Sequence, residues 1–457
     1  MQSSRRQALQ NAAAGFAIPA LAGLLSEQQN AAASPMAMPL LPAKIKRVIF
    51  LFMYGGPSSV DTFDHKPLLD RDHGKPLPFG KPRVQFRGTK NLFRSPWKFR
   101  RYGASGSAVS ELFPQVAQHV DKLTFVHSMH GSNAAHGGAL LKIHTGSDTF
   151  VRPGMGAWIS YGLGTENANL PAFVTIDPTL NHGGVQNFGS SFLPAQHQGV
   201  RVHGKVATIN DLKPSAEEAL QRRKLDLLRS LNQLQLSDVG LARGLDARIQ
   251  TFELAFRMQR EAPEALDLGQ ESKETHELYG TVDEQTSAFG RQCLLARRLA
   301  ERGVRFIQCT HREGDSITWD DHSNLVKHHP QLARAVDKPI AGLLTDLHRR
   351  GLLDDTLVMW GGEFGRTPTA EGNDGRDHNP HGFTWWLAGG GLKPGFHFGA
   401  TDEYGYYAIQ DRVHIHDLHA TLLHLMGLDH EQLTYRYSGR DFRLTDVHGR
   451  VVKEILA

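Results

Sequence analysis

Carboxylates and imidazoles recur in this chain where apolar runs end. Residues 49–53 (Ile-Phe-Leu-Phe-Met) lead into Tyr54-Gly55-Gly56-Pro57-Ser58-Ser59, then Asp61 and Asp64. Residues 304–309 are followed by Asp320-Asp321-His322, and residues 356–360 run into Gly361-Gly362-Glu363, with Arg366 close behind and Arg376-Asp377-His378 beyond. Carboxylate oxygens and imidazole nitrogens, gathered in one place, are the donors of an O/N-ligated divalent metal site. Only two cysteines occur, Cys293 and Cys309. They exclude a disulfide framework and give no support to a thiolate zinc site, although a single bridge is compatible with the count.

Each candidate carries a competing reading. Asp61 and Asp64 follow a turn rich in Gly and Ser, and either ligates a metal or caps the next helix. Asp320 and His322 are two apart, so in extended backbone they point to one side and could share an ion; the alternative is a hydrogen-bonded Asp–His pair. Glu363 follows an apolar strand, where a carboxylate is costly unless it is solvated, paired or metal-bound. It is expected to be a ligand, or else to pair with Arg366 or Arg376. His378 is expected to be a ligand, and Asp377 either ligates or orients an imidazole. His127, His130, His136 and His144 crowd one strand–helix connection. His416-Asp417-Leu418-His419 reads as a helix start with its capping partners.

The elements that would position these residues follow from periodicity. Strands are expected at 46–53, 123–127, 172–176, 304–309 and 356–360, with another at 383–387. Helices are expected at 112–119, 134–144, 330–350 and 416–426, the last stopped by Gly427. A strand, a helix and a strand over 304–360 form a βαβ unit and imply a parallel sheet. Residues 66–107 read as long loops. Residues 215–303 read as a helical insertion: Ser215 to Glu218 has a capping-box pattern, and Leu220, Leu225, Leu227, Leu228, Leu231 and Leu234 form a stripe expected to pack in a core. The fold class is therefore α/β, a mainly parallel sheet sandwiched between helices. In such a sheet the carboxyl ends of the strands form the ligand-binding edge.

Hydrophobic residues make up 40% of the 457 and charged residues 21%, which predicts a packed globule rather than disorder. A net charge of +4 over this length, with no dense Lys/Arg block, gives little reason to expect a nucleic-acid partner. The basic, aromatic segment 94–101 is expected to be an exposed loop. Residues 1–34 have the form of an export signal: Arg5-Arg6, a mildly apolar stretch, then Ala31-Ala32-Ala33. Twin arginines point to the Tat route and to a periplasmic or extracellular protein. A Pro-rich linker spans 35–46, and no run reaches transmembrane length.

The order of these motifs resembles that of the alkaline phosphatase–sulfatase superfamily. It is most similar to the sulfatase-like family of exported proteins known as domain of unknown function 1501. The strings that carry the resemblance are Gly55 to Asp64, Trp360 to Pro368, Gly375 to Phe383, and the tail through Asp417, Tyr435-Arg436 and Gly439-Arg440-Asp441-Phe442. The resemblance implies an alkaline-phosphatase-like domain over 35–457 and a divalent metal such as Zn, Ca, Mg or Mn. It places Asp61 at the first metal aspartate, Asp320 and His322 at the ligands preceding a strand, and Glu363 at the aspartate ending it. Sulfatases carry a Cys or Ser nine residues before a Thr-Gly; here the residue nine before Thr145-Gly146 is His136. Histidine cannot become the formylglycine of a sulfatase. His136 is then nucleophile, ligand or general acid, or a hydroxyl of Ser58, Ser128 or Ser132 or a water supplies the attack.

The expected function is an exported metal-dependent hydrolase of sulfate or phosphate esters, acting on a small-molecule or polysaccharide ester. Its metal would be held by Asp61, Asp320, His322, Glu363, Asp377 and His378, and Arg366 or Arg376 would grip the anion. The main alternative is a non-catalytic binding protein on the same scaffold; a redox or other metal enzyme is a third reading.

Overall fold

The computed structural model describes residues 40–457 except 81–89, 211, 213–216, 240–242 and 312–316. The segment read as an export signal, the first part of the linker, and Ser215 and Ala216 of the capping pattern lie outside the described residues.

The centre of the molecule is strand β1 (Arg47–Met53), buried along its whole length. An unbroken apolar run is what a strand covered on both faces requires. Alternate side chains go to opposite sides. Ile49, Leu51 and Met53 join one core with Cys293, Leu294, Leu332 and Val336, whereas Val48, Phe50 and Phe52 join a second with Leu140, Ile143, Leu418 and Leu422. Full burial of each such side chain contributes about 1.5–3 kcal/mol, so β1 fastens both helical layers to the sheet.

Along the chain, β1 is followed by β2 (Leu123–His130), α1 (His136–Thr145), β3 (Phe173–Ile176), β4 (Val200–His203), α2 (Glu218–Val239), α3 (Arg243–Leu266) and α4 (Ser287–Glu301). Then come β5 (Phe306–His311), α5 (Leu325–Arg349), β6 (Thr356–Gly361), β7 (Gly365–Glu371), β8 (Gly375–Asn379), β9 (Phe383–Gly389), β10 (Phe396–Phe398) and α6 (Ile415–Leu425). The main sheet runs in the order β10-β2-β9-β6-β1-β5-β3-β4, extended by the short strand Thr208–Ile209. Strands β6, β1, β5, β3 and β4 are parallel, and β9 runs against β6 and β2. The result is the expected mainly parallel sheet between helices.

Register sets up the site. Met53 pairs with His311 and Phe52 with Gly361, so three strands end at one edge. Residues 365–379 form an antiparallel hairpin standing off that edge, with Arg366 opposite His378.

Three expectations fail. Residues 112–119, read as a helix, hold only the start of a 3-10 helix at Val116–Lys122. Helix α5 begins at Leu325 rather than at Pro330, and it carries Pro330 and Pro339 inside it. The leucine stripe is not core: Leu220, Leu227, Leu228 and Leu231 on α2 are 48, 60, 43 and 52% exposed. α2 is tied to α3 by a two-pronged Arg222–Glu253 pair and turns this face outward. Both cysteines are free and buried, with no bridge. Arg94, Lys98, Arg100 and Arg101 are exposed, partly on a hairpin of Phe99–Tyr102 with Ser107–Ser110. No described helix is long and apolar enough to cross a membrane.

Candidate metal centre

Four side chains meet beyond the ends of β1 and β6. Asp320 Oδ1 lies 3.0 Å from His322 Nε2 and 3.0 Å from His378 Nε2, and Asp320 Oδ2 lies 3.1 Å from His136 Nε2. His322 and His378 bring their Nε2 atoms to 3.0 Å from each other. The opposite ring nitrogen is tied down in all three imidazoles. His136 Nδ1–H donates to Glu363 Oε1 (2.8 Å), His322 Nδ1–H to Glu371 Oε2 (2.5 Å), and His378 Nδ1–H to the Ala134 carbonyl (2.6 Å). That pattern selects the tautomer with its lone pair on Nε2, as metal-binding histidines require. Lone pairs facing each other at 3.0 Å need a cation between them, either a proton or a metal.

Buried polar atoms confirm the fit. His136 is 7% exposed, and its buried Nε2 lies 3.1 Å from Asp320 Oδ2, an ion-pair contact. Asp377 Oδ2 is buried and unpartnered. One donor atom each from His136, Asp320 and His378 falls within 4.8 Å of the others, and the same holds for His322, Asp377 and His378.

Local sequence explains the assembly. The Gly55-Gly56 turn ends β1 with φ of +109° and +79°. A Cβ on Gly55 would lie 2.5 Å from the Asp320 backbone nitrogen, so only glycine lets the 319–322 loop lie against this turn. Gly55 N–H donates to both oxygens of Glu363 (3.0 and 3.2 Å), and the carbonyls of Gly55 and Gly56 accept from Arg366. Arg366 Nη2 also donates to Asp320 Oδ1 at 2.7 Å. His136 is the first residue of α1, whose N-cap Ala135 supplies no side-chain bond.

Electrostatics follow the contacts. Burial alone lowers the His136 pKa, but Asp320 and Glu363 override it and raise it to about 9. Asp320 is held far below the usual carboxylate range: burial opposes this, and Arg366 and the three imidazoles outweigh it. His378 is pushed down to about 3, first by burial and then against its Asp320 hydrogen bond by Arg366 and His136. His322 is raised, its contacts to Asp320 and Glu371 outweighing burial. Burial raises Asp377. The metal-free cluster therefore holds a proton at His136 and keeps the His378 lone pair available.

Four expected site residues, Asp61, Arg376, Arg366 and Glu363, serve elsewhere. Asp61 is not at the cluster. It forms a two-pronged pair with Arg376 (2.6 and 3.1 Å) and accepts from Ser58 Oγ at 2.5 Å, and both charged groups are fully buried. Arg376 donates its remaining N–H groups to the carbonyls of Thr367, Phe93 and Arg94, so it faces no open site. Arg366, 1% exposed, is likewise engaged and positions Asp320 rather than meeting solvent. Glu363 stands behind His136 as its orienting partner. Asp64 bonds Thr401 and Lys66. His416 and His419 each bond a backbone carbonyl, at Gly146 and Ile143.

Sequence reasoning missed Glu371, the partner of His322. The signal was Gly372-Asn373-Asp374-Gly375, a turn pattern that makes 365–379 a hairpin rather than a loop and sets Glu371 opposite Gly375. Also missed was the pair beside His136: Tyr54 Oη and His182 Nδ1 are 3.0 Å apart, with the His182 ring 5.3 Å from that of His136.

Solved structures similar to the fold include the following. Ps i-CgsB in complex with k-i-k-neocarrahexaose shows 11% identity and a TM-score of 0.38, covering 86% of this chain and 75% of that one. The lipoteichoic acid synthase LtaP from Listeria monocytogenes shows 10% and 0.35, covering 89% and 76%. Alkaline phosphatase from the Antarctic bacterium TAB5 shows 10% and 0.31, covering 78% and 94%. No curated protein matches the sequence. The family model described as protein of unknown function (DUF1501) matches residues 45–456, nearly all of the described chain, and the protein belongs to that family.

Proposed function

We propose that this protein is an exported, metal-dependent hydrolase of sulfate or phosphate esters of small molecules or polysaccharides. The observation that carries the metal is the convergence of three Nε2 atoms on Asp320, each imidazole fixed from behind. Ester chemistry rests on the resemblance of the ordered motifs, and export by the Tat route on the twin arginines. The donor set is three imidazoles and a carboxylate, which suits zinc and similar borderline ions better than Mg or Ca, with their oxygen shells. Asp320, His136, His322 and His378 would hold the ion. When bound, it would supply Lewis-acid polarisation of an ester oxygen. The chain's own part is orientation. Glu363 and Glu371 aim two rings, Arg366 keeps Asp320 ionised and placed, and Tyr54 with His182 forms a polar pair able to move a proton beside His136.

A second reading, a non-catalytic binding protein, is favoured by one observation. The hydroxyls of Ser58, Ser128 and Ser132 are bonded away to Asp61, the Asp411 carbonyl and Asp148. The test is metal content by mass spectrometry after chelator-free purification, followed by a sulfate- and phosphate-ester screen. Near-stoichiometric metal and turnover, both lost in Asp320→Ala, support the hydrolase. Metal without turnover favours the binding protein, and an absence of metal removes both the ligand assignment and the hydrolase.

A further inference from the structure

We infer that a second site, separate from the metal cluster, binds an anionic saccharide: a sugar carrying a sulfate or phosphate group. A cleft of about 770 Å³ opens where β3 and β5 end, bordered by Asp177, Thr310 and His311. The carboxyl edge of a parallel sheet is where ligands bind, and this volume falls within the range of small-molecule pockets. Three cations line it: Arg201, Lys205 and Arg334. Among the described residues none of the three has a carboxylate within ion-pair distance, although this chain pairs most of its other buried and half-buried arginines. The Arg201 Nε is buried with no acceptor. A buried donor without a partner is costly, and an oxyanion is the acceptor that three cations would favour.

The acceptors in the cleft point to the rest of the ligand. Asp177 also borders the cleft but makes no ion pair with the three cations among the described residues; its oxygens accept from Gly204 N–H (3.0 Å) and Gln292 Nε2–H (3.1 Å). Asp177 has a φ of +45°, a left-handed conformation unusual for a residue with a side chain. Gln292 is 6% exposed, and with its amide N–H committed to Asp177 its Oε1 is left buried and unpartnered. Glu284 stands exposed at the rim. Oxyanion-binding cations beside the buried, unpartnered Gln292 Oε1 match a group that bears both a charged ester and hydroxyl donors.

The inference does not depend on the metal cluster, and its test keeps the two apart. Glucose 6-sulfate is titrated into the full chain by calorimetry at low ionic strength, with glucose and sodium sulfate as controls. Binding of glucose 6-sulfate is expected, with each control at least about tenfold weaker. Arg201→Gln, and separately the exposed pair Lys205→Gln with Arg334→Gln, should each weaken it by about tenfold or more, the loss of a charge-assisted hydrogen bond. Circular dichroism establishes that the variants are folded. Asp320→Ala should leave the binding unchanged. The inference is overturned by no binding, by binding that both sets of folded variants retain, or by sodium sulfate binding as tightly as the sugar ester. It is also overturned if Asp320→Ala alone abolishes binding, because the ligand would then sit at the cluster. Retained binding in a chain that holds no metal would sink the hydrolase reading and leave this site standing.

Discussion

Glu363 Oε1 accepts from His136 Nδ1–H at 2.8 Å and from Gly55 N–H at 3.0 Å, so one carboxylate ties the helix start that carries His136 to the turn ending the central strand. Acid, turn and imidazole act as one unit. Glu363→Gln keeps the shape but weakens the hold on the ring and its basicity. Orienting partners of this kind typically contribute 10–100-fold in metal affinity, and a loss of that size is expected in a competitive chelator titration. A variant that binds metal as tightly as wild type would remove Glu363 from the site.

Glu371→Gln should act in the same way through His322, with a similar loss. Combining it with Glu363→Gln should bring metal occupancy after dialysis close to nothing. If the double variant retains metal, the Nε2 convergence does not create the site.

Asp61 and Arg376 form a fully buried pair that holds the β7–β8 hairpin to the segment after β1. Removing one partner strands a buried charge, at a cost of about 3–5 kcal/mol. Arg376→Met should therefore lower the melting temperature clearly, and adding Asp61→Leu should recover part of the loss. An Arg376→Met melting temperature equal to wild type would contradict the pairing.

Acid should destabilise the fold before carboxylates titrate. His144 is buried against Phe50 and Phe52, accepts from Gln308 Nε2 and has its pKa lowered to about 4, chiefly by burial. His419 is likewise lowered to about 3 by burial. The unfolded chain binds these protons near pH 6.5 and the folded chain does not, so stability is complete above that pH, declines as pH falls below it and levels off once the folded values are passed. Every tenfold loss of proton affinity on folding corresponds to about 1.4 kcal/mol. Melting temperatures between pH 7 and pH 5 should fall steeply, and His144→Gln should flatten the slope. An unchanged slope would show that another group governs acid stability.

Gly55→Ala places a Cβ 2.5 Å from the Asp320 nitrogen at a φ of +109°. Strain of this kind costs about 1–3 kcal/mol, and the 319–322 loop must move. Metal affinity should fall even where the protein stays folded; unchanged affinity and melting temperature would show that the turn relaxes freely.

The strand ends were legible from sequence because buried parallel strands are uninterrupted apolar runs. The expected strands end at residues 53, 309 and 360, within two residues of the observed ends at Met53, His311 and Gly361. Asp320, His322 and His378 stood out because titratable residues beside such ends are rare. What the sequence concealed was pairing across distance. Asp61 and Glu363 are both acids following a strand and a glycine pair, yet one meets Arg376 and the other His136. Only the hairpin register, with Arg366 opposite His378, decides between them. The leucines of α2 keep helical spacing whether or not anything covers them, so periodicity could not show that they are exposed.

The donors of the cluster come from the start of α1, the loop before α5 and the hairpin after β6, and the His136–Glu363 bond alone spans 227 residues of chain. No short piece of the polypeptide contains the set, and closing such long loops is entropically costly until the sheet order is complete. An ion held by this set would then be taken up at the end of folding rather than seed it, and would report that β1, β5, β6 and the hairpin are already in place.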